Sequence, residues 1–300
     1  MTESSISVVI PTFNRAHYLG EAIASVQAQG EVVREILVVD DGSTDDTEAV
    51  LTALGEPRVR FLRQENRGPA AARNLGWKSS TRPWVAFLDS DDRLAEGALP
   101  ALLAAGTAHP GHIPFGWSEI RDATFSEPPY ATVAMAPRSG WIAQYFCRPT
   151  PPTIFACLFP RSALEALDGF SLDPAVHLAE DFDLGLRLTL RHRFVRVDRI
   201  CYRVRMHATN RHREHQLAVN AAVMASIAAH VRGGLRTELM RRRLLGRWHA
   251  TAAVHELGMG SFAAARRSAL TGLVQWPLHP SLWRTLGSSL RGRRPAMPET

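Results

Sequence analysis

The sequence has 300 residues, of which 45% are hydrophobic, so it can form one large core or a core with a helical appendage. No apolar run approaches the ~18 residues needed to span a bilayer, and no basic segment of a secretory signal opens the chain. We therefore expect a cytoplasmic protein, or one held peripherally on the cytosolic face of the inner membrane. Charge is uneven: residues 1–190 carry 15 Lys+Arg and 24 Asp+Glu, whereas residues 191–300 carry 20 and 5.

Apolar strands and amphipathic helices alternate over the first 105 residues. Strands are predicted at residues 6–10, 35–39, 59–63 and 84–88. A helix follows each of the first three strands: the first has apolar residues at helical spacing, the second begins at an N-cap with acids in its first turn, and the third, 70–78, follows Gly68-Pro69. This alternation is typical of βαβ units, so we predict an α/β fold with a mostly parallel sheet and helices on both faces.

The second half of the chain has weaker signals. Strands are predicted at residues 113–117, 153–159 and 194–204, a long loop at 122–152 with a short helix at 141–146, and helices at 160–167 and from Glu180 onward. The signal is helical from about 213 to 290, with helices at 217–231, 239–257 and 262–274. Cys147, Cys157 and Cys201 are odd in number and widely spaced, so we predict reduced packing residues.

The stretch WVAFLDSDDR, residues 84–93, joins an apolar run to three carboxylates. A continuous apolar run is typical of a parallel strand buried on both faces. Asp89, Asp91 and Asp92 follow at its carboxyl end, where open α/β sheets bind ligands. Because Asp89 and Asp91 are two residues apart and project to one side, they can hold a divalent cation through oxygen ligands.

Six ordered segments resemble glycosyltransferase family 2, whose catalytic domain has the GT-A fold. They are SVVIPTFNR (7–15), EILVVDDGSTDDT (35–47), RGPAAARNLG (67–76), FLDSDD (87–92), DGF (168–170) and EDFDLGLRL (180–188). The resemblance covers residues 5 to about 207. It implies a GT-A domain at 1–210, with a nucleotide-sugar half at about 1–110 and an acceptor half at about 111–210. A helical region at 211–290 and a disordered tail at 291–300 complete our prediction.

The resemblance also implies a reaction, namely the inverting transfer of a sugar from a nucleoside-diphosphate sugar to a hydroxyl acceptor. UDP is the favoured donor nucleotide and dTDP is its main rival. A divalent cation, Mn²⁺ or Mg²⁺, would stabilise the departing diphosphate. We expect the product to be a surface polysaccharide, a glycolipid or a glycosylated metabolite.

The metal site implied by the resemblance centres on Asp91. Asp89 would support the ribose or the metal shell, and Asp92 is a possible substitute ligand. His207 resembles a histidine that some relatives place near the metal, although Ala208-Thr209-Asn210 replaces the serines that often follow it. The alternatives are a solvated turn for the acids and an ordinary surface or packing role for His207. Arg203 and Arg205 are alternative phosphate ligands.

The nucleotide site implied by the resemblance involves the ends of the first two strands and the following arginines. Its residues are Pro11, Thr12, Phe13, Asn14, Asp41, Arg67, Arg73 and Asp89. Asp41 would accept a hydrogen bond from the base ring, while Asp40 would support the turn; helix capping is the main alternative for Asp45 and Asp46. The two arginines would face the diphosphate, and an exposed helix arginine is the competing interpretation for Arg67.

Asp181 matches the catalytic base of the family, since an inverting displacement needs one carboxylate to take the proton of the acceptor hydroxyl. Glu180 would orient this base or contact the sugar. The alternative is that both acids only stabilise a helix N-terminus.

Three tryptophans, Trp248, Trp276 and Trp283, lie among arginines in the C-terminal region. They indicate either peripheral contact with anionic lipid or the core of a helical subdomain. We expect no nucleic-acid partner, because the sequence lacks the interleaved aromatic and basic residues of a stacking surface and its first half is acidic. The main alternative to an enzyme is a catalytically silent sugar-nucleotide-binding protein that scaffolds polysaccharide assembly. A nucleotidyltransferase of similar fold would need a Gly-rich, Lys-containing phosphate loop, which is absent after the first strand.

Overall fold

The computed structural model describes residues 5–134, 139–140, 154–207 and 216–292. The chain divides into two compact units, and Asp173–Leu186 belongs with the C-terminal helices rather than with the rest of the first 207 residues. This stretch carries Glu180 and Asp181. The division therefore differs from a single boundary near residue 210. We describe each unit by itself.

Two sheets form the first unit. Its strands within the described residues are β1 (Ile6–Thr12), β2 (Val33–Asp40), β3 (Val59–Arg63), β4 (Trp84–Phe87), β5 (Arg93–Leu94), β6 (His112–Arg121), β7 (Ala131–Ala134), β8 (Phe159–Pro160) and β9 (Arg193–Arg205). The first sheet has the order β3-β2-β1-β4-β8, in which only β8 is antiparallel to its neighbour. The second sheet has the order β5-β9-β6-β7, with a parallel β6–β9 pair at its centre. The predicted α/β class with a mostly parallel central sheet is confirmed.

The helices of the first part of the chain follow the predicted alternation. They are α1 (Ala16–Gln27), α2 (Thr47–Leu54), α3 (Pro69–Ser79), α4 (Ala98–Ala108), α5 (Arg161–Glu165) and α6 (Glu180–Arg191). On α1 the residues at helical spacing, Leu19, Ala22, Ile23 and Val26, are all buried. Every residue of β1 is buried, as expected for a central parallel strand.

Gly76 brings α3 close to the first sheet. A Cβ atom at this position would lie 2.3 Å from Cγ1 of Val9 on β1. Only glycine leaves room for this contact, so the spacing of the helix from the sheet depends on it. This contact matters for the site because α3 carries Arg73.

Two predictions about secondary structure were wrong in part. Of the strand predicted at 153–159, Ile154–Ala156 form a 3-10 helix, Cys157 makes an isolated antiparallel bridge with Phe115, and Phe159 begins β8. The long loop contains the short strand β7, because its backbone pairs with β6 and needs no amphipathic pattern of its own. The helix predicted at 141–146 lies outside the described residues.

The buried cysteines confirm a packing role. Cys157 and Cys201 are free and buried. Burial raises the pKa of the Cys201 thiol to about 12, which keeps it protonated and unreactive. Cys147 lies outside the described residues.

Four helices follow in the second unit, one more than the pattern predicted. They are α7 (Gln216–His230), α8 (Leu235–Gly258), α9 (Phe262–Gln275) and α10 (Pro280–Leu290). The helix α10 was missed because the prolines around it interrupt the periodicity, although Pro280 itself starts the helix. Among the described residues, no helix is both long and apolar enough to cross a membrane.

Alanines and leucines pack together in the interior of the C-terminal helices. Ala250, Ala253, Ala269, Leu273 and Leu282 make one buried cluster. Trp248 is buried, whereas Trp283 is exposed, so only the first of these two tryptophans has the predicted core role. Residues 293–300, most of the predicted tail, lie outside the described residues.

Candidate active site

The carboxyl end of β4 places Asp89 against a buried arginine. Nη2 of Arg73 donates to Oδ1 of Asp89 at 2.7 Å, and the backbone N–H of Asp89 donates to the Tyr202 hydroxyl at 3.1 Å. The Arg73 guanidinium also lies over the rings of Phe155 and Phe170, 4.7 and 5.4 Å from their centres. A guanidinium held by an acid and two rings is a fixed positive charge beside the acidic loop, which is residues 89–92.

Asp91 contacts His207, which is distant from it in the sequence. Nε2 of His207 lies 3.0 Å from Oδ2 of Asp91, and Nε of Arg15 lies 4.0 Å from the same oxygen. The His207 ring stacks on Tyr18 with 5.4 Å between centres. The His207 side chain is 6% exposed and that of Asp91 is 21% exposed, so this pair lies at the edge of the protein interior.

Asp92 has a structural role. It is buried, and its Oδ1 accepts a hydrogen bond of 2.8 Å from the backbone N–H of Arg205. Burial, together with the negative charges of Asp91 and Asp89, raises the pKa of Asp92 well above its usual range. A buried carboxyl group held in this way does not suit the substitute metal ligand that the sequence suggested.

Arg205 holds the acidic loop from the other side. Its Nε donates to the Asp91 carbonyl oxygen at 2.7 Å, and its guanidinium lies between the rings of Tyr18 and Phe125, at 4.7 and 4.5 Å. It also pairs with Glu21. These contacts occupy the Arg205 side chain with protein groups, so its predicted contact with phosphate is not supported. Arg203 pairs with Glu119 in the same way.

The loop after β1 is tied to the loop after β2. The backbone of Asn14 has a φ of +52°, its N–H donates to Ser43 Oγ at 2.9 Å, and its Oδ1 accepts from the Thr44 N–H at 2.9 Å. Pro11 and Thr12 belong to β1 and are buried, whereas Phe13 is 36% exposed. The exposed ring at the end of a central strand is free to stack on a base.

Asp41 links β2 to the start of α3. Its Oδ1 accepts from the backbone N–H of Arg67 and from Gln64 Nε2, at 2.8 and 2.7 Å, and its Oδ2 accepts from the Gly68 N–H at 2.8 Å. Gly68 has a φ of +87°, which glycine adopts without strain. The Arg67 side chain is exposed. The roles of Asp41 and Arg67 in nucleotide binding stay predictions.

The neighbouring acids support the turn and the helix. Oδ1 of Asp40 accepts from the Ser43 N–H at 2.9 Å, as expected of a turn residue. Asp45 accepts from the backbone N–H of Thr47 at 3.2 Å and from its hydroxyl at 2.5 Å, which fits the capping alternative. Asp46 occupies the N-cap position of α2 without a side-chain capping bond.

The DGF motif is bound to α3 by one asparagine. Oδ1 of Asn74 accepts from the backbone N–H of Phe170 and from Trp77 Nε1, both at 2.9 Å, while its Nδ2 donates to the Phe170 carbonyl at 2.8 Å. A Cβ atom on Gly169 would lie 2.3 Å from Trp77 Nε1 and 2.4 Å from Asn74 Oδ1. The motif therefore packs against α3 and places the Phe170 ring under the Arg73 guanidinium.

In the second unit, Glu180 and Asp181 are half-buried residues of the first turn of α6. The next acid, Asp183, is fully buried; its Oδ1 accepts from Ser226 Oγ at 2.7 Å and lies 3.0 Å from His230 Nε2 on α7. The Phe182 ring packs edge-on against Trp248, with 5.7 Å between centres. The C-terminal helices thus anchor the helix that begins with the predicted base.

Asp91 and His207 are the residues that could hold a divalent cation. Asp91 Oδ2 and His207 Nε2 lie within hydrogen-bond distance of each other, and carboxylate oxygens are ligands that Mg²⁺ and Mn²⁺ prefer. Among the described residues no three His, Cys, Asp or Glu side chains form a complete metal cage. A cation bound by one or two protein groups completes its shell with phosphate oxygens and water.

Sequence reasoning did not single out two residues beside the acidic loop of the first unit and two beside Asp183 in the second unit. They are Tyr18, Tyr202, Ser226 and His230. Tyr18 and Tyr202 lie in ordinary helix and strand patterns, so only the tertiary contacts reveal their roles. Ser226 and His230 are four residues apart on one helix face, but nothing in the sequence identifies Asp183 as their partner.

Comparison with known families agrees with the arrangement of strands and acids. The model of Glycosyl transferase family 2 matches residues 7–161, which is more than half of the chain. The chain therefore belongs to glycosyltransferase family 2.

Two relatives illustrate the range of this similarity. An uncharacterized glycosyltransferase of Rickettsia conorii is 48% identical over 94 residues, which are 31% of this chain and 15% of that protein. The GalNAc(5)-diNAcBac-PP-undecaprenol beta-1,3-glucosyltransferase of Campylobacter jejuni is 38% identical over 112 residues, 36% of each chain. The chain thus matches well under half the length of either relative.

The fold extends further than the sequence similarity. Residues 1–349 of S. aureus TarS, crystallised with UDP, align with a TM-score of 0.66 at 19% identity, covering 97% of this chain and 89% of that one. This similarity confirms the GT-A fold that the sequence motifs implied, including the presence of C-terminal helices.

Proposed function

We propose that this chain is an inverting glycosyltransferase that moves a sugar from a UDP-sugar to a hydroxyl acceptor with the help of Mn²⁺ or Mg²⁺. The observation that carries the proposal is the pairing of Asp91 with His207, close in sequence to the fixed Asp89–Arg73 pair at the end of β4. UDP is favoured because it occupies the TarS structure of the same fold. The Campylobacter relative is named for a lipid-linked acceptor, so a surface glycan or glycolipid is the product class that we favour.

The leaving group is the first chemical requirement. A divalent cation at Asp91 and His207 would neutralise the charge that develops on the departing diphosphate. Arg73 adds a positive charge that needs no rearrangement, because Asp89, Phe155 and Phe170 already hold its guanidinium. Arg15, which approaches Asp91, adds a further cation near the same loop.

Donor recognition would use the ends of β1 and β2. Phe13 offers an exposed ring for stacking, and Asn14 keeps the loop in place through Ser43 and Thr44. Asp41 accepts three hydrogen bonds from backbone and side-chain donors of the protein. It would accept the hydrogen bond from the base with a lone pair that these donors leave available. The exposed Arg67 is placed next to it to meet the diphosphate.

The acceptor is the second chemical requirement. The Asp181 carboxylate takes the proton of the acceptor hydroxyl. The hydroxyl oxygen forms a bond to the anomeric carbon, and the bond from that carbon to the diphosphate breaks. One carboxylate suffices, since inversion forms no covalent enzyme intermediate. Glu180 would orient the acceptor or the base.

The proposal is tested with the purified full chain and a panel of UDP-, dTDP- and GDP-sugars, with and without Mn²⁺. Thermal shifts identify the donor and the metal, and release of the free nucleoside diphosphate measures turnover. We expect Asp181→Asn to keep donor binding and to lose turnover by about 10²–10⁴-fold. The matched control is Asp46→Asn, an exposed acid outside the proposed machinery.

The main alternative is a silent sugar-nucleotide-binding scaffold. It predicts a thermal shift with the donor and no turnover for any acceptor, with Asp181→Asn indistinguishable from the parent protein. A lipid-linked acceptor would place the enzyme at a membrane, and the basic C-terminal region is the part that we propose makes this contact.

A further inference from the structure

The last two helices expose large apolar side chains on their outer faces. Val274 and Leu278 are 75% and 79% exposed, and Trp283 is 56% exposed. Leu270 lies one turn before Val274 on α9, and Leu290 lies two turns after Trp283 on α10, and both are also exposed. We call these five residues the α9–α10 face.

The α9–α10 face is separate from the core that the same helices build. The opposite sides of these helices bury Ala265, Ala269, Leu273 and Leu282. Each helix therefore has an apolar side toward the unit and further apolar residues toward solvent. Exposed apolar side chains in this number are not needed for folding and mark an interaction surface.

The Trp283 ring is held at the turn between the helices. Its Nε1 donates to the Pro277 carbonyl oxygen at 2.7 Å, next to Leu278. This bond satisfies the polar atom of the indole within the protein and leaves the ring itself exposed. A tryptophan so placed, with an apolar body and a satisfied polar atom, is suited to the boundary between water and lipid.

The two helices of this face and the turn between them carry charge of one sign. Residues 257–298 contain no Asp or Glu. Arg267 and Arg284 lie among the exposed apolar residues of α9 and α10, and the exposed Arg291 follows Leu290. Arginine side chains reach outward from an apolar surface and bind phosphate groups.

We propose that the α9–α10 face docks on a membrane surface that contains anionic lipids. Apolar side chains would enter the head-group boundary, and the arginines would bind the lipid phosphates. A second copy of this chain is a poorer partner, because a two-fold interface would bring the same arginines together without an acid between them. This docking surface deepens the proposed function and rests on it in one respect: a lipid-linked acceptor would lie at the same membrane.

The test is flotation of the full chain with vesicles of phosphatidylcholine alone and with vesicles that also contain phosphatidylglycerol. We expect binding to the anionic vesicles only, and weaker binding at high salt. The double variant Leu278→Ser/Trp283→Ser and the charge variant Arg267→Glu/Arg284→Glu should each lower the bound fraction at least about tenfold. The matched control is Leu239→Ser/Val254→Ser, which changes two exposed apolar residues of α8.

A second readout locates the contact. Brominated lipids should quench the tryptophan fluorescence of the parent protein, and Trp283→Phe should remove most of this quenching while vesicle binding persists. Equal loss of binding in the α8 control, equal binding to neutral vesicles, or no binding to either vesicle would overturn the proposal. A dimer that dissociates in the Leu278→Ser/Trp283→Ser variant would also overturn it, in favour of a second copy.

Donor binding separates this proposal from the catalytic one. The thermal shift with UDP-sugar should be the same in all these variants, because none changes a residue of the proposed nucleotide site. Failure of vesicle binding with an intact donor shift would refute the docking surface alone. Vesicle binding without any donor shift would refute the proposed function alone.

Discussion

Nε2 of His207 lies 3.0 Å from Oδ2 of Asp91, although 116 positions separate the two residues in the sequence. The pairing of β5 with β9 explains how they meet, because Arg93 lies opposite Arg203 and Leu94 opposite Tyr202. The acidic loop ends where β5 begins, and His207 follows directly on β9. The short strand β5 thus sets the position of the histidine at the acidic loop.

A His207→Asn variant should bind Mn²⁺ about 10–100-fold more weakly, because one nitrogen ligand and its contact with Asp91 are lost. Turnover measured against Mn²⁺ concentration should shift to higher metal, with a smaller change once the metal is saturating. The control is His177→Asn, an exposed histidine of the second unit. An unchanged metal dependence in His207→Asn would show that this residue has a packing role only.

Loss of the Ser226 hydroxyl should disturb the helix of the proposed base. The buried Asp183 carboxylate loses one of its hydrogen-bond donors in Ser226→Ala, and a hydrogen bond to a charged group contributes about 1.5–3 kcal/mol. We expect a lower melting temperature and a lower kcat, with little change in the KM for the donor. Ser226→Thr keeps the hydroxyl and should restore kcat, whereas Ser268→Ala on α9 serves as the control. A fall in stability without any fall in kcat would refute the positioning role.

Gly169→Ala should destabilise the first unit strongly. The φ of Gly169 is +67°, and the added Cβ meets Trp77 and Asn74 at less than 2.5 Å, so we expect a loss of about 2–5 kcal/mol. Gly55→Ala isolates the backbone contribution, because its φ is +57° with no atom within 4 Å, and should cost about 1–2 kcal/mol. Urea denaturation of both variants measures the difference. Equal losses in the two variants would contradict the packing role of the motif.

The second unit should lose stability on mild acidification. Burial lowers the pKa of His249, and burial with the charges of Arg247 and Arg284 lowers the pKa of His279. The unfolded chain then binds more protons than the folded one. The stability that the two neutral histidines contribute is therefore present above the unfolded pKa of about 6.5 and is lost as pH falls through the folded pKa values.

Melting temperatures at pH 7 and pH 5 test this dependence. The His249→Gln/His279→Gln variant should lose less stability between the two pH values than the parent protein. The control is His109→Gln, an exposed histidine of the first unit. A parallel fall in parent and double variant would contradict the assignment.

Local sequence determined most of the first unit. The apolar runs at residues 8–10 and 36–39 favour strands that are covered on both faces, which is typical of a parallel α/β sheet. The acids after Phe87 then fall at the carboxyl edge without any further information. The same reasoning does not apply to Ile154–Ala156, where an apolar run has no strand partner and coils into a 3-10 helix.

Tertiary structure alone decided the roles of the individual polar residues. Asp89, Asp91 and Asp92 are near neighbours in sequence, yet the first bonds to Arg73, the second meets His207 and the third is buried against the backbone of Arg205. The partners of an acid come from distant strands and helices, so spacing along the chain cannot rank the three. The same holds for Trp248 and Trp283, since burial depends on which helix face meets a neighbour.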